Sequence, residues 1–194
     1  MASPYRILVV CTGNICRSPM GEIVLREKLT QAGMTHVEVA SAGVSSEEHG
    51  NPVDSRASRV LREAGYEVPR WAAHRVTPQE LQTADLVLAM TTGHARALKR
   101  MMHDAGADLS RLHLWREYDG TCAYSPDGVF GSSGVLAQES HKQKHSRYAD
   151  FTISDGEFDV PDPWYGGQAG FYETLATIEQ GADGIISQLT KLLN

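Results

Sequence analysis

The sequence predicts an α/β fold: one domain over residues 1–194, built on a doubly wound, four-stranded parallel sheet with helices on both faces. Three observations predict it. The runs YRILVV (5–10) and DLVLAM (85–90) are almost continuously apolar, the pattern of strands buried on both faces. Segments with helical apolar spacing fall between such runs, so strand and helix alternate. Caps and glycines mark the boundaries of those segments.

The elements follow in order. The first strand covers residues 5–10 and ends at Cys11, and CTGNICRSP then forms a loop. Ser18 and Pro19 supply an N-cap and N1 pair, or the helix begins one residue earlier. Ile23, Val24 and Leu29 give this helix its apolar side, and Gly33 ends it. Residues 36–42 read as the second strand. Ala57, Val60, Leu61 and Ala64 stand at i, i+3, i+4 and i+7, a helix that runs to Gly65. Thr77-Pro78-Gln79-Glu80 is a capping box with proline at N1. Residues 85–90 form the third strand, and Thr91 or Thr92 caps a helix carrying Ala95, Leu98 and Met101/Met102. Residues 111–115 are the fourth strand. Phe171, Leu175, Ile178, Ile185, Leu189 and Leu192 mark a C-terminal helix, with Gly181 and Gly184 as points of interruption. Residues 119–158 stand apart: 5 glycines and 6 serines in 40 residues. A structureless loop of that length is uncommon in a compact domain, so it is either a mobile insertion or carries small elements of its own.

Composition narrows the function classes. With 194 residues, 41% hydrophobic and 22% charged, the chain matches an ordinary globular domain with enough length for a full core. It has no run of 18 apolar residues to span a membrane, and its start does not read as a signal peptide. Three cysteines at uneven spacing do not make a disulfide framework, so a reducing cytoplasm is the expected location. A net charge of −6 argues against nucleic acid as a partner.

Cys11 and Arg17 carry the chemistry. Five residues separate them, and their context gives the pair its meaning: a buried strand enters the loop and a helix leaves it. Backbone N–H groups of a loop running into a helix N-terminus converge on an anion. Gly13 and Asn14 tolerate the left-handed backbone that such a nest needs. Arg17 adds a planar fork for two phosphate oxygens. The same positive field favours the thiolate of Cys11, and Ser18 is placed to donate to its sulfur. A nucleophile therefore sits in a cradle for a tetrahedral dianion.

CTGNICRSPMGE resembles the active-site loop of the low-molecular-weight protein-tyrosine phosphatases. PVDSRA, ADLVLAM and VPDPWYGG resemble further landmarks of that family, in family order, with residues 119–158 longer than usual. The resemblance implies that family's fold and hydrolysis of phosphotyrosine in a protein or peptide, releasing inorganic phosphate. It implies Cys11 as nucleophile, Arg17 as phosphate ligand and transition-state stabiliser, and Asp162 as general acid and then base. The phosphate-binding loop would be Thr12, Gly13, Asn14, Ile15, Cys16 and Arg17. Asn14, Ser18 and His74 would support it, and Ile15, Trp164 and Tyr165 would wall the pocket. Pro161 and Pro163 flank Asp162 and stiffen its backbone, which suits a proton donor held in place. No metal or cofactor is implied, since arginine and N–H groups carry the charge, and neither is a membrane partner.

Some positions depart from the family pattern. Many tyrosine-specific members have aspartate after the third-strand methionine. Here Thr91 opens a Met-Thr-x-x-His pattern ending at His94, similar to the bacterial protein-arginine phosphatases, which are the alternative reading. That branch typically has threonine at the position of Ile15 and lacks the aromatic pair, so Ile15, Trp164 and Tyr165 side with phosphotyrosine. The arsenate reductases of this fold need two further cysteines beyond the loop, whereas only Cys122 is present. A binding module without turnover is a further alternative, against which Cys11, Arg17 and Asp162 stand together.

Plainer readings accompany these. Cys16 is either a small packing residue or, as the resemblance suggests, a disulfide partner that protects Cys11. Cys122 reads as a bystander. His74 and His94 fit surface or helix-cap positions, and His141 to His145 (HKQKH) fits a solvated face.

Overall fold

All four expected strands form, and they pair in parallel in the order β2-β1-β3-β4. The computed structural model describes residues 3–139 and 156–193. Its elements are β1 (Tyr5–Cys11), α1 (Arg17–Gln31), β2 (Val37–Gly43), α2 (Ser55–Glu63), α3 (Pro78–Thr83), β3 (Leu86–Ala89), α4 (Thr92–Ala105), β4 (Leu112–Leu114) and α5 (Gln168–Leu193). Alternation along β1 divides the core. Ile7, Val9 and Cys11 face a cluster with Met20 and Val24 of α1, Leu61 of α2 and Phe171 of α5. Leu8 and Val10 face a second cluster with Leu81 of α3 and Leu98 and Met102 of α4. Burying both faces explains why these strands carry unbroken apolar runs.

The chain passes from β1 to β2 on one side and then crosses back to β3 on the other, so the sheet has its switch point between β1 and β3. Ligands of open parallel sheets bind outside the carboxyl ends of the strands at that point. The loop after Cys11 begins there. Beyond the carboxyl end of β3, the Met90 carbonyl accepts a hydrogen bond from the Val160 amide at 2.8 Å, which brings the segment bearing Asp162 to the same place.

Helix boundaries agree with the cap residues at most ends. Thr77 and Glu80 make the reciprocal capping box, Thr91 rather than Thr92 caps α4, and Gly33 and Gly65 take left-handed backbone just past α1 and α2. Two expectations need correction. The first helix begins at Arg17 with Cys16 at the N-cap, two residues before Pro19 could be N1. The Ser18 hydroxyl is engaged by Asn14 and the Ala42 carbonyl, so it does not cap. The C-terminal helix is one unbroken element. Gly181 and Gly184 are contact points in it: a Cβ at the first would overlap the Trp115 indole, and at the second the Tyr118 carbonyl.

The long segment after β4 carries structure of its own up to residue 139. The Val129 amide donates to the Leu112 carbonyl at 2.8 Å, and Ala137–Glu139 forms a 3-10 turn. Cys122, Val129, Phe130 and Leu136 are buried in the second cluster. The basic run from His141 to His145 lies outside the described residues. Among the described residues, no helix is long and apolar enough to cross a membrane.

Candidate active site

The loop from Cys11 to Ser18 is built around Asn14. Its φ of 60° lies in the left-handed region, and it is the one non-glycine residue with positive φ among those described. Asparagine tolerates that conformation better than most residues. The expectation paired Gly13 with it, but Gly13 has no positive φ. A Cβ at Gly13 would instead lie 2.8 Å from Cγ of Glu48. The Asn14 side chain is fully buried. Its Nδ2 donates to Ser18 Oγ at 3.0 Å and Ser41 Oγ at 2.9 Å, and its Oδ1 accepts from the His74 amide at 3.2 Å. Trp71 Nε1 donates to the Asn14 carbonyl at 3.0 Å. The loop is thus locked from β2 and from the segment before α3.

The turn that follows β2 wraps the loop's outer side. The Val44 and Ser45 amides donate to the Cys11 and Thr12 carbonyls at 2.9 and 3.0 Å. Gly43 makes this approach possible, since a Cβ there would lie 2.5 Å from the Thr12 carbonyl oxygen. Thr12 Oγ1 is 2.8 Å from Nε2 of His94.

Cys11 is buried at the end of β1, with Sγ 3.0 Å from Ser18 Oγ. The single hydroxyl proton of Ser18 has two acceptors in reach, this sulfur and the Ala42 carbonyl at 3.2 Å. A hydroxyl so placed can turn to a sulfur that carries charge and away from one that does not. Arg17 is almost fully buried. Its Nη2 donates to Asp162 Oδ2 at 2.9 Å and its Nη1 to the Val160 carbonyl at 3.3 Å. Asp162 Oδ1 accepts from the Trp164 amide at 3.1 Å, which makes a tight turn through Pro163. Cys11, Arg17 and Asp162 therefore meet at the carboxyl ends of β1 and β3, although 145 residues separate Arg17 from Asp162.

The remaining expected positions differ in kind. Ile15 is buried in the first cluster, Trp164 is 41% exposed and Tyr165 is 80% exposed. The backbone of His74 supports Asn14, while its ring pairs with Glu80 Oε1 at 2.8 Å rather than with the loop. Cys16 is buried beside Cys11, and burial, with Asp54 and Cys11 nearby, pushes its thiol well above the usual range. Cys122 packs in the other core cluster, where burial pushes its thiol up to about 12. His94 is no surface histidine. It is fully buried at the start of α4, and burial, aided by Arg17, holds its imidazole well below the usual range, so it is neutral.

Sequence reasoning missed Ser41, Trp71 and the Thr12–His94 contact. None leaves a local signal, because each meets the loop from another part of the chain. A cavity of about 620 Å³, lined among others by Arg6, Leu29, Met34 and Glu38, opens at the amino ends of the strands, opposite this chemistry. The convergence of groups, rather than cavity size, locates the site.

Comparison with known proteins bears on the family. Residues 6–126 match the model of a family described as low molecular weight phosphotyrosine protein phosphatase. A curated relative from Streptomyces coelicolor, named low molecular weight protein-tyrosine-phosphatase, is 34% identical over 94% of this chain and 92% of its own. The protein-arginine-phosphatase of Geobacillus stearothermophilus is 47% identical, over 47% of this chain and 57% of its own. Among solved structures, Vibrio vulnificus Wzb in complex with benzylphosphonate superposes with a TM-score of 0.69 at 26% identity, over 95% of this chain and 99% of its own.

Proposed function

From membership of the low molecular weight phosphotyrosine protein phosphatase family, to which this chain belongs, we propose that it hydrolyses phosphotyrosine through a cysteinyl-phosphate. The observation that carries the reading is the meeting of three groups: Cys11 against the Ser18 hydroxyl, the buried Arg17, and Asp162 on the Arg17 guanidinium. In the first step the Cys11 sulfur attacks phosphorus, and the bond from phosphorus to the tyrosine oxygen breaks. Loop N–H groups and Arg17 hold the phosphoryl oxygens as charge moves over them. Asp162, as general acid, gives a proton to the departing phenolate oxygen. In the second step Asp162 takes a proton from water, water attacks the phosphocysteine, and inorganic phosphate leaves with the thiolate restored. Ser18 steadies that thiolate as nucleophile and as leaving group. Trp164, beside Asp162, suits a flat ring, with Tyr165 and Ile15 completing the wall.

The test sets phosphotyrosine and phosphoarginine peptides side by side. We expect a higher kcat/KM on phosphotyrosine, abolished in Cys11→Ser while that variant still binds the peptide. A higher kcat/KM on phosphoarginine would assign the chain to the alternative reading. That reading draws on the 47% identity with the Geobacillus protein-arginine-phosphatase.

A further inference from the structure

We infer that Arg56 is a positioning residue that fixes the Asp162 segment relative to the phosphate loop. The inference rests on the assignment of Asp162 as general acid. Arg56 lies in the first turn of α2, outside the groups that face phosphate. Its guanidinium meets the Asp162 segment in two ways. Nη1 donates to the Trp164 carbonyl at 3.3 Å and to the Gly166 carbonyl at 3.5 Å. Its plane also lies 5.3 Å from the Trp164 ring centre and 4.6 Å from that of Phe171, within the range of cation–π attraction. In return Gln168 Nε2, at the start of α5, donates to the Arg56 carbonyl at 3.3 Å.

The other side of Arg56 is tied to the phosphate loop through Asp54. Arg56 Nε donates to Asp54 Oδ1 and Nη2 donates to Oδ2, both at 3.2 Å. This is the two-pronged geometry that only arginine offers a carboxylate. Asp54 is fixed in turn. Its amide donates to the Ile15 carbonyl at 2.8 Å, and its carboxylate caps α2 by accepting from the Arg56 and Ala57 amides. A continuous path therefore runs from the Ile15 carbonyl through Asp54 and Arg56 to the backbone at Trp164 and Gly166. Upstream, the same segment hangs on the Met90 carbonyl, and the Thr174 hydroxyl shares its proton between the Pro161 carbonyl at 3.2 Å and the Gly170 carbonyl at 2.9 Å. Asp162 stands between these anchors. Without the Arg56 guanidinium, the downstream half would lose its side-chain ties to Asp54 and keep the bond from Gln168 to the Arg56 carbonyl. Trp164 would lose the cation beneath its ring.

A general acid matters in proportion to how badly the leaving oxygen needs a proton, so a displaced Asp162 has a kinetic signature. Because kcat/KM covers the steps through formation of the covalent intermediate, it reports that signature for each ester. In Arg56→Gln we expect kcat/KM to fall about 10–10²-fold on phenyl phosphate and no more than about threefold on 2,4-dinitrophenyl phosphate. Asp162→Asn should show the same pattern, and the double variant should lose little more on phenyl phosphate than Asp162→Asn alone. Arg56→Lys keeps the charge without the fork or the stacking plane, and it should reproduce the pattern even if Arg56→Gln fails to fold. Equal losses on both esters in the Arg56 variants, or losses that multiply in the double variant, would overturn the inference and leave Asp162 as the acid. An Asp162→Asn variant that loses equally on both esters would remove the acid assignment and this inference together.

Discussion

Replacing Asn14 by alanine tests the loop architecture most sharply. The substitution removes three side-chain hydrogen bonds, to Ser18, Ser41 and the His74 amide, each buried or partly buried. A net worth of about 1 kcal/mol each gives about 3 kcal/mol. Alanine must also hold φ near 60°, where an L side chain without a local polar group costs about 1–2 kcal/mol. The total is about 4–5 kcal/mol, a large share of the stability of an ordinary domain. Glycine at the same position loses the hydrogen bonds but not the backbone tolerance, and its extra freedom in the unfolded chain costs about 0.5–1 kcal/mol. Asn14→Gly should therefore be more stable than Asn14→Ala by roughly 1 kcal/mol. Urea unfolding of the three proteins, read by tryptophan fluorescence, measures both differences. An alanine variant within about 1 kcal/mol of the parent, or a glycine variant less stable than the alanine one, would contradict this role of Asn14.

Further expectations follow from single contacts. Gly43→Ala should lower kcat/KM at least about tenfold in a folded protein. Its new Cβ meets the Thr12 carbonyl at 2.5 Å and must push the loop, and unchanged kinetics would show that this approach is not needed. His94 stays neutral in the folded state while an unfolded histidine takes a proton as pH falls below its ordinary value. The unfolded state then binds more protons, so the stability contribution is complete above about pH 6.5 and is lost as pH falls below it. Between pH 7.5 and 5.5 the parent should lose about 1.4 kcal/mol more than His94→Asn, and parallel losses would contradict the assignment. Mild peroxide should link Cys11 to Cys16 reversibly, since Cys122 packs in the other core cluster. Peptide mapping that found Cys11 joined to Cys122 would contradict that placement.

Much of this architecture was legible because local chemistry and tertiary need coincide. The run at residues 85–90 needs burial on both faces and receives it, Val87 and Ala89 from the cluster with α3 and α4, and Leu86, Leu88 and Met90 from the cluster with α1 and α5, so β3 forms there. Thr77 and Glu80 satisfy each other across one helical turn, so their cap is visible in four residues. What stayed hidden is long-range. Ser18 reads as a cap, yet Asn14 and Ala42 claim its hydroxyl from outside the helix. Gly181 and Gly184 read as helix breakers because the side that they open to Trp115 and Tyr118 is set by packing. His94 reads as a cap histidine until the loop brings Thr12 to its ring. The roles of Asp54 and Arg56 lie in the path between two loops, and PVDSRA alone gives no sign of it.

The proposed route takes phosphate through sulfur. It is tested most directly by quenching a turnover mixture in denaturant within its first cycle and locating phosphate by peptide mass mapping. A cysteinyl-phosphate route leaves one phosphorylated position, Cys11, on the tryptic peptide ILVVCTGNICR, and none when Cys11→Ser is mixed with the same substrate. Phosphate found on another side chain, or steady turnover by Cys11→Ser, would contradict it.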